Sequence, residues 1–177
     1  VRVIGLDFGT TTGFAWTDTG QADPHNSGEW KLENRGFDGA GMRFLRFEAR
    51  VKDLILAPGG PDFMDCAEPP PIAIFYESAP PRRPGQATGT AATRLFGGFM
   101  AVTMRLCEER GIPYAGVTVS AVKKTATGKG NAAKELLAIA ALERWKVRIP
   151  AEENNRVDAL WILQTGLDDL HPEGWAP

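Results

Sequence analysis

The sequence holds two cysteines, Cys66 and Cys107, and two histidines, His25 and His171, and no apolar run approaches the length of a membrane span. Each shortage narrows the field. Without a CxxC pair, and with both histidines in loop-like contexts, a structural zinc site is not expected. A spanning helix needs about 20 consecutive apolar residues, and the start, Val1-Arg2-Val3-Ile4-Gly5-Leu6-Asp7, lacks the charged, apolar and small-residue order of a signal peptide. A soluble, cytoplasmic protein with no membrane contact is therefore expected. No internal repeat and no low-complexity segment is present either.

What the chain does have is 177 residues with 43% hydrophobic content, enough for one well-buried core and short for two full domains. One domain over residues 1–177 is expected. The net charge of −2 hides a segregation. From Ala79 to Lys134 there are nine basic residues, including Arg82, Arg83, Lys123, Lys124 and Lys129, against two acids, so that segment carries +7 and the remainder −9. Arg105 and Arg110 suit a solvated helix face. The pairs Arg82-Arg83 and Lys123-Lys124 sit among Pro, Gly and Thr in expected loops, where a footprint for phosphates would be built.

Val1 to Leu6 is nearly continuously apolar, as a strand covered on both faces should be. The turn Gly9 to Gly13 follows, then strands at Phe14–Thr17 and Gly28–Leu32, the second alternating polar and apolar. Phe44, Phe47, Val51 and Leu54 recur at helical spacing within Gly39–Leu56. Beyond a Pro-rich loop, Ile72–Glu77 is a second buried-type strand. Thr90–Arg110 is an amphipathic helix stopped by Gly111, Tyr114–Val119 is a fifth strand, and Asn131–Trp145 and Val157–Leu167 are helices. In the first of these Leu136, Leu137, Ile139 and Leu142 cover much of the circumference, which predicts a largely buried helix. The order is β-β-β-α-β-α-β-α-α, an α/β fold, with Pro58–Pro71 and Ala79–Gly89 as the loops expected to move.

Two of these strands end in an acid, Asp7 and Glu77. Strands joined through a helix are usually parallel with a right-handed crossover, and ligands of open α/β sheets sit beyond the C-terminal strand ends. The two acids would then meet at that edge, where a hard cation such as Mg²⁺ relieves their repulsion. A lone strand-end acid is adequately explained by hydrogen bonds to loop amides, but a third acid weakens that account. Asp158 shares a helix face with Trp161 and Ile162, and an acid on an apolar face is costly unless paired or metal-bound. Capping is its alternative role, for which Asn154 and Asn155 are better placed.

Four stretches, "IGLDFGTTTG", "IAIFYES", "VKKTATGKGNAAKE" and "NNRVDALWIL", together resemble the RuvC family of Holliday-junction resolvases, within the ribonuclease-H-like fold. The resemblance runs from Ile4 to about Thr165, and the third stretch is its most specific part. It implies a central mixed five-stranded sheet flanked by helices, and a homodimer that cuts four-way DNA junctions by paired symmetric nicks. Asp7, Glu77 and Asp158 would be metal-binding acids, with Lys123 and Lys134 the basic residues of the active site. The chemistry implied is that of two Mg²⁺ or Mn²⁺ ions about 4 Å apart, with Asp7 between them, Glu77 and Asp158 on either side and Asn155 assisting. Lys134 would stabilise the phosphate in flight, the amides of Gly128 to Asn131 would offer an anion site, and Arg82, Arg83, Lys123, Lys124 and Lys129 would hold DNA.

The chain departs from the family pattern in three places. Asn155 stands where the family has a further acid, and Glu152 and Glu153 fall at neither the i−3 nor the i−4 offset from Asp158. Pro80 occupies the position of an aromatic residue, and Pro58–Pro71 looks like an added loop. Such divergence suits a phage or prophage-type member, working at the nucleoid or in an infected bacterial cell. Two rivals stay open. An actin-like ATPase shares the Asp-x-Gly-Thr-Thr opening but needs a second lobe, and no second "DFGTT" occurs. A nuclease-fold scaffold that binds DNA without cutting it has Asn155 as its support. For the dimer interface, the apolar content of Thr90–Arg110 makes that helix the candidate.

Overall fold

A computed structural model describes residues 2–18, 22–56, 72–78 and 90–170. The expected loops Pro58–Pro71 and Ala79–Gly89, and with them Pro80, Arg82, Arg83, Cys66 and His171, lie outside the described residues. The elements are β1 (Arg2–Asp7), β2 (Thr11–Thr17), a 3-10 turn (Pro24–Asn26), β3 (Ser27–Lys31), α1 (Met42–Leu56), β4 (Ile72–Glu77), α2 (Thr90–Arg110), β5 (Tyr114–Val117), α3 (Val119–Thr127), α4 (Lys134–Trp145) and α5 (Asn154–Leu170). The sheet runs β3-β2-β1-β4-β5. Its first three strands pair antiparallel, and β1, β4 and β5 are parallel, which makes the mixed five-stranded sheet that was expected.

Alternation along the strands divides the core in two. Val3, Ala15, Ala73, Phe75 and Val117 face α5 and pack with Leu160, Trp161 and Leu163. Ile4, Leu6, Trp30, Ile74 and Tyr76 face the other way, onto Phe47, Val51 and Leu54 of α1 and Leu95, Phe99 and Leu106 of α2. Burial on both faces is why β1 and β4 read as unbroken apolar runs. The stripe on α2 is thus taken up by the chain's own core.

Several boundaries differ from expectation for local reasons. The turn after Asp7 is only Gly9–Thr10, because β2 already begins at Thr11, and the Thr12 hydroxyl closes the turn by donating to the Gly9 carbonyl at 3.0 Å. Lys123 and Lys124 lie on α3, not in a loop. The Thr118 hydroxyl caps that helix by accepting from the Ala121 amide at 3.1 Å, and Val122 is its buried anchor. α4 starts at Lys134 rather than Asn131, and it is not largely buried. Leu137 and Ala141 face inward while Leu136, Ile139 and Leu142 are exposed, since α4 packs one side only. α5 is longer than expected at both ends. Among the described residues no helix is long and apolar enough to cross a membrane.

Candidate active site

Strand register assembles the site before any helix is added. Leu6 pairs with Tyr76 at the ends of parallel strands, so Asp7 and Glu77 follow as neighbours at one sheet edge. Asp7 also pairs with Gly13, and Gly13 with Glu29 on β3. Residues opposite one another in a sheet project to the same face, here the face covered by α5. The first turns of α5 lie across this row in direct backbone contact. A Cβ at Gly13 would overlap the Asn155 carbonyl oxygen, and one at Gly5 would stand 2.6 Å from the carbonyl oxygen of Ala159. Only glycine lets the helix come so close, and that approach brings Asp158 to Asp7.

α3 and α4 complete a cleft of about 340 Å³. Its polar lining is Asp7, Glu77, Lys123, Lys134, Asn155 and Asp158, and Val119, Val122 and Leu137 form its apolar wall. The Lys134 ammonium is 2.8 Å from Asp158 Oδ2. All three expected acids, Lys123, Lys134 and Asn155 therefore line one cleft. Lys124 is exposed on α3 and Lys129 lines a separate depression with Leu136 and Ile139, so neither lines the cleft. Nor does the Gly128–Asn131 turn. Arg105 and Arg110 form surface ion pairs, Arg105 with Glu48 at 2.7 Å and Arg110 with Glu109 at 3.5 Å, as expected of a solvated helix face.

The acids perturb one another. Burial first, then the charges of Asp158 and Glu77, push the Asp7 carboxyl up to about 7; Lys134 opposes the rise and Glu29 adds to it. Glu77 is raised by burial and then by Asp158, against Lys134 and Lys123. Burial alone would lower Lys134, but its hydrogen bond to Asp158 and the surrounding acids outweigh that and raise it, so its ammonium stays charged. Perturbed groups gathered in one cleft are the electrostatic mark of a functional site. By contrast Cys107, buried in the core on the other side of the sheet, has its thiol pushed up to about 12 by desolvation and has no part in this chemistry.

The start of α5 is held differently from expectation. Glu29, from 126 residues away, accepts the backbone amides of Asn155 at 2.9 Å and Arg156 at 3.3 Å. The Arg156 guanidinium donates to Ser27 Oγ at 2.9 Å, to the Pro24 carbonyl at 2.8 Å and to Glu153 at 2.7 Å. Glu153 is thereby committed to Arg156, and neither it nor Glu152 lines the cleft in compensation for Asn155. Nothing in the sequence marks Glu29 for this task beyond its place between Gly28 and Trp30 on an alternating strand, which puts it on the face opposite the core tryptophan.

Asp7, Glu77 and Asp158 offer hard oxygen donors, and their mutual repulsion in a partly desolvated cleft is relieved by a divalent cation, so the donor set fits Mg²⁺ or Mn²⁺ in kind. The fit is incomplete in position. Among the described residues no three histidine, cysteine, aspartate or glutamate side chains close round a common point, and Lys134 supplies the positive charge beside Asp158.

No protein-family model matches the sequence, and no curated protein does. Solved structures do. RuvC of Thermus thermophilus superposes with a TM-score of 0.66 at 20% identity, covering 98% of each chain. The same protein in complex with a Holliday-junction substrate gives 0.66 and 20%, covering 93% of this chain and 91% of that one. The yeast mitochondrial Holliday-junction resolvase gives 0.55 and 13%, covering 93% and 77%. The chain has the ribonuclease-H-like fold that RuvC has.

Proposed function

We propose that this chain is a divalent-metal-dependent, structure-selective DNA endonuclease that resolves four-way junctions by paired nicks, a crossover-junction endodeoxyribonuclease. The observation that carries the reading is the convergence of Asp7, Glu77, Asp158, Lys123 and Lys134 in one cleft at the C-terminal edge of the sheet, on a fold shared with RuvC. That one such neighbour was solved with a Holliday-junction substrate makes branched DNA the substrate to test first.

Asp7, Glu77 and Asp158 would hold the metal, with Asn155 adding a neutral carbonyl oxygen. The chemistry that a bound Mg²⁺ or Mn²⁺ would supply there is polarisation of an attacking water and neutralisation of charge on the leaving 3′ oxygen. The chain's own groups supply the rest. Asp7 is the most sensitive of them, because a carboxyl raised to about 7 must lose its proton to act as a ligand. Lys134, held by Asp158 and fully charged, faces the cleft as a counter-charge for the phosphate. Lys123 adds a second cation to the lining. Val119, Val122 and Leu137 keep water from one wall, which strengthens every charge interaction inside. Lys124 and Lys129 lie outside and would touch only flanking backbone, with Arg82 and Arg83 assigned to the same footprint.

Two symmetric nicks call for two sites about a two-fold axis, so a homodimer belongs to the reading. Light scattering with and without junction tests it, and a strictly monomeric mass counts against it. The decisive assay is incubation with Mg²⁺ or Mn²⁺ and four-way, three-way, flap and linear DNAs. Paired nicks confined to the four-way substrate are expected. Tight junction binding without any nicking would favour the scaffold reading, which Asn155 supports.

A further inference from the structure

We infer that Glu29 is a positioning residue of the nuclease centre: reaching from β3, its carboxylate holds the first turn of α5 and so sets Asn155 and Asp158 against Asp7. The inference rests on the nuclease reading above. Its ground is the row Asp7–Gly13–Glu29, three strand residues in register across which α5 begins.

The first amides of any α-helix lack intrahelical partners. A cap from the residue next in sequence would satisfy them but leave the helix free to shift on the sheet. The cap here comes from another element. Glu29 Oε1 takes the amides of both Asn155 and Arg156, and hydrogen bonds to a carboxylate at the positive end of a helix are stronger than neutral ones. The Arg156 side chain ties the same turn to Ser27 and Pro24 from the same side. Beneath the turn, Gly13 leaves contact distance and no slack. The cleft residues Asn155 and Asp158 are one helical turn apart, so a displacement of this turn moves both.

A cap that only stabilises and one that positions predict different results. Glu29→Gln keeps an acceptor oxygen at the same reach without charge. Glu29→Asp keeps the charge but withdraws it by about 1.5 Å, one carbon–carbon bond. If position matters, Gln rescues and Asp does not; if only charge or stability matters, the order reverses.

The experiment uses the full chain and Mn²⁺. For Glu29→Ala we expect nicking of saturating four-way junction to slow by about 30- to 100-fold, the scale of a roughly 1 Å misplacement. Junction affinity should stay within about twofold, since Glu29 lies off the cleft lining. The Mn²⁺ midpoint for binding, read calorimetrically, should rise, and hydrogen exchange at the Asn155 and Arg156 amides should quicken at least about tenfold. Glu29→Gln should stay within about fivefold of wild type in rate, and Glu29→Asp should lie near Ala. Should Glu29→Ala not fold, the Gln and Asp variants decide by themselves. Wild-type rate and Mn²⁺ midpoint in Glu29→Ala, or Asp outperforming Gln, would overturn the inference. A wild-type chain that nicks none of the DNAs would instead overturn the nuclease reading, and the exchange rates would still report whether Glu29 holds the turn.

Discussion

The two faces of the sheet are packed by different means. On the α5 face the strands offer Gly5, Gly13 and Ala15, so helix backbone meets strand backbone and the row ends in acids. On the other face Phe8, Trp30, Phe47, Tyr76 and Phe99 pack ring to ring, with centroids 4.4 Å apart for Phe47 and Phe99 and 5.3 Å for Phe8 and Tyr76. Rings fill volume and tolerate small adjustments. Backbone contact through glycine tolerates none. The chain thus places its least adjustable packing under Asp7, Asn155 and Asp158, and its more forgiving packing behind them.

The largest effect belongs to the acid in that row. Asp7→Asn should cut metal-dependent nicking by more than about a thousandfold while junction binding stays measurable by gel-shift; nicking that persists in the purified variant removes Asp7 from the centre. Next comes the seat itself. Gly13→Ala forces a methyl into the Asn155 carbonyl and should cost about 2–3 kcal/mol in urea unfolding. The molecules that still fold should nick about a hundredfold more slowly, and full activity would show that α5 is not rigidly seated. Lys134→Ala should slow nicking about 10- to 100-fold with nearly unchanged binding. Lost binding in a gel-shift would instead assign Lys134 to holding DNA.

A fourth prediction concerns stability and carries a sign. The folded Asp7 carboxyl titrates near 7 against 3.8 unfolded, so the native state binds more protons between those values. The stability this group confers is complete below about pH 4 and is lost as pH rises through 7. Without divalent ions, Asp7→Asn should therefore be the more stable protein at pH 8. A three-unit shift corresponds to about 4 kcal/mol, and water in the cleft reduces that to about 2 kcal/mol, a melting shift of roughly 5 °C for a chain of this size. Saturating Mg²⁺ should reverse the order, because it stabilises only the form that binds it. A variant with wild-type melting at both pH 5 and pH 8 would show that Asp7 is not strained by its neighbours.

What was readable in advance follows the same division. Asp7 and Glu77 were legible because a strand end and its acid are adjacent in sequence, and Asp158 because a charge on an apolar helical stripe is conspicuous. α3 was not, since nine residues rich in Thr and Lys beside a Gly-x-Gly turn carry little periodicity, and its start is marked by Thr118 alone. The exposed side of α4 was misjudged because Leu136, Ile139 and Leu142 surround it with apolar residues, and only the tertiary arrangement tells which side has a neighbour. Glu29 was invisible for a stricter reason. Its partners are 126 and 127 residues away, and the register that aligns it with Gly13 and Asp7 exists only once the strands have paired.

The smallest effect tests the forgiving side. Phe47 is fully buried between the sheet and α2, its ring tilted against Phe99 and edge-on to Phe8 at 5.8 Å and Trp30 at 6.4 Å. Phe47→Leu keeps an apolar side chain of moderate size there and should cost about 1 kcal/mol in urea unfolding, because neighbouring rings can close part of the gap. Phe8 follows Asp7 directly, so a shift on this face has a short route to the cleft. If β1 isolates the two faces, nicking per folded molecule and the Mn²⁺ midpoint should both match wild type. A rate loss beyond about threefold at equal folded fraction would mean that the aromatic face also positions Asp7, and that the division between adjustable and unadjustable packing does not follow the plane of the sheet.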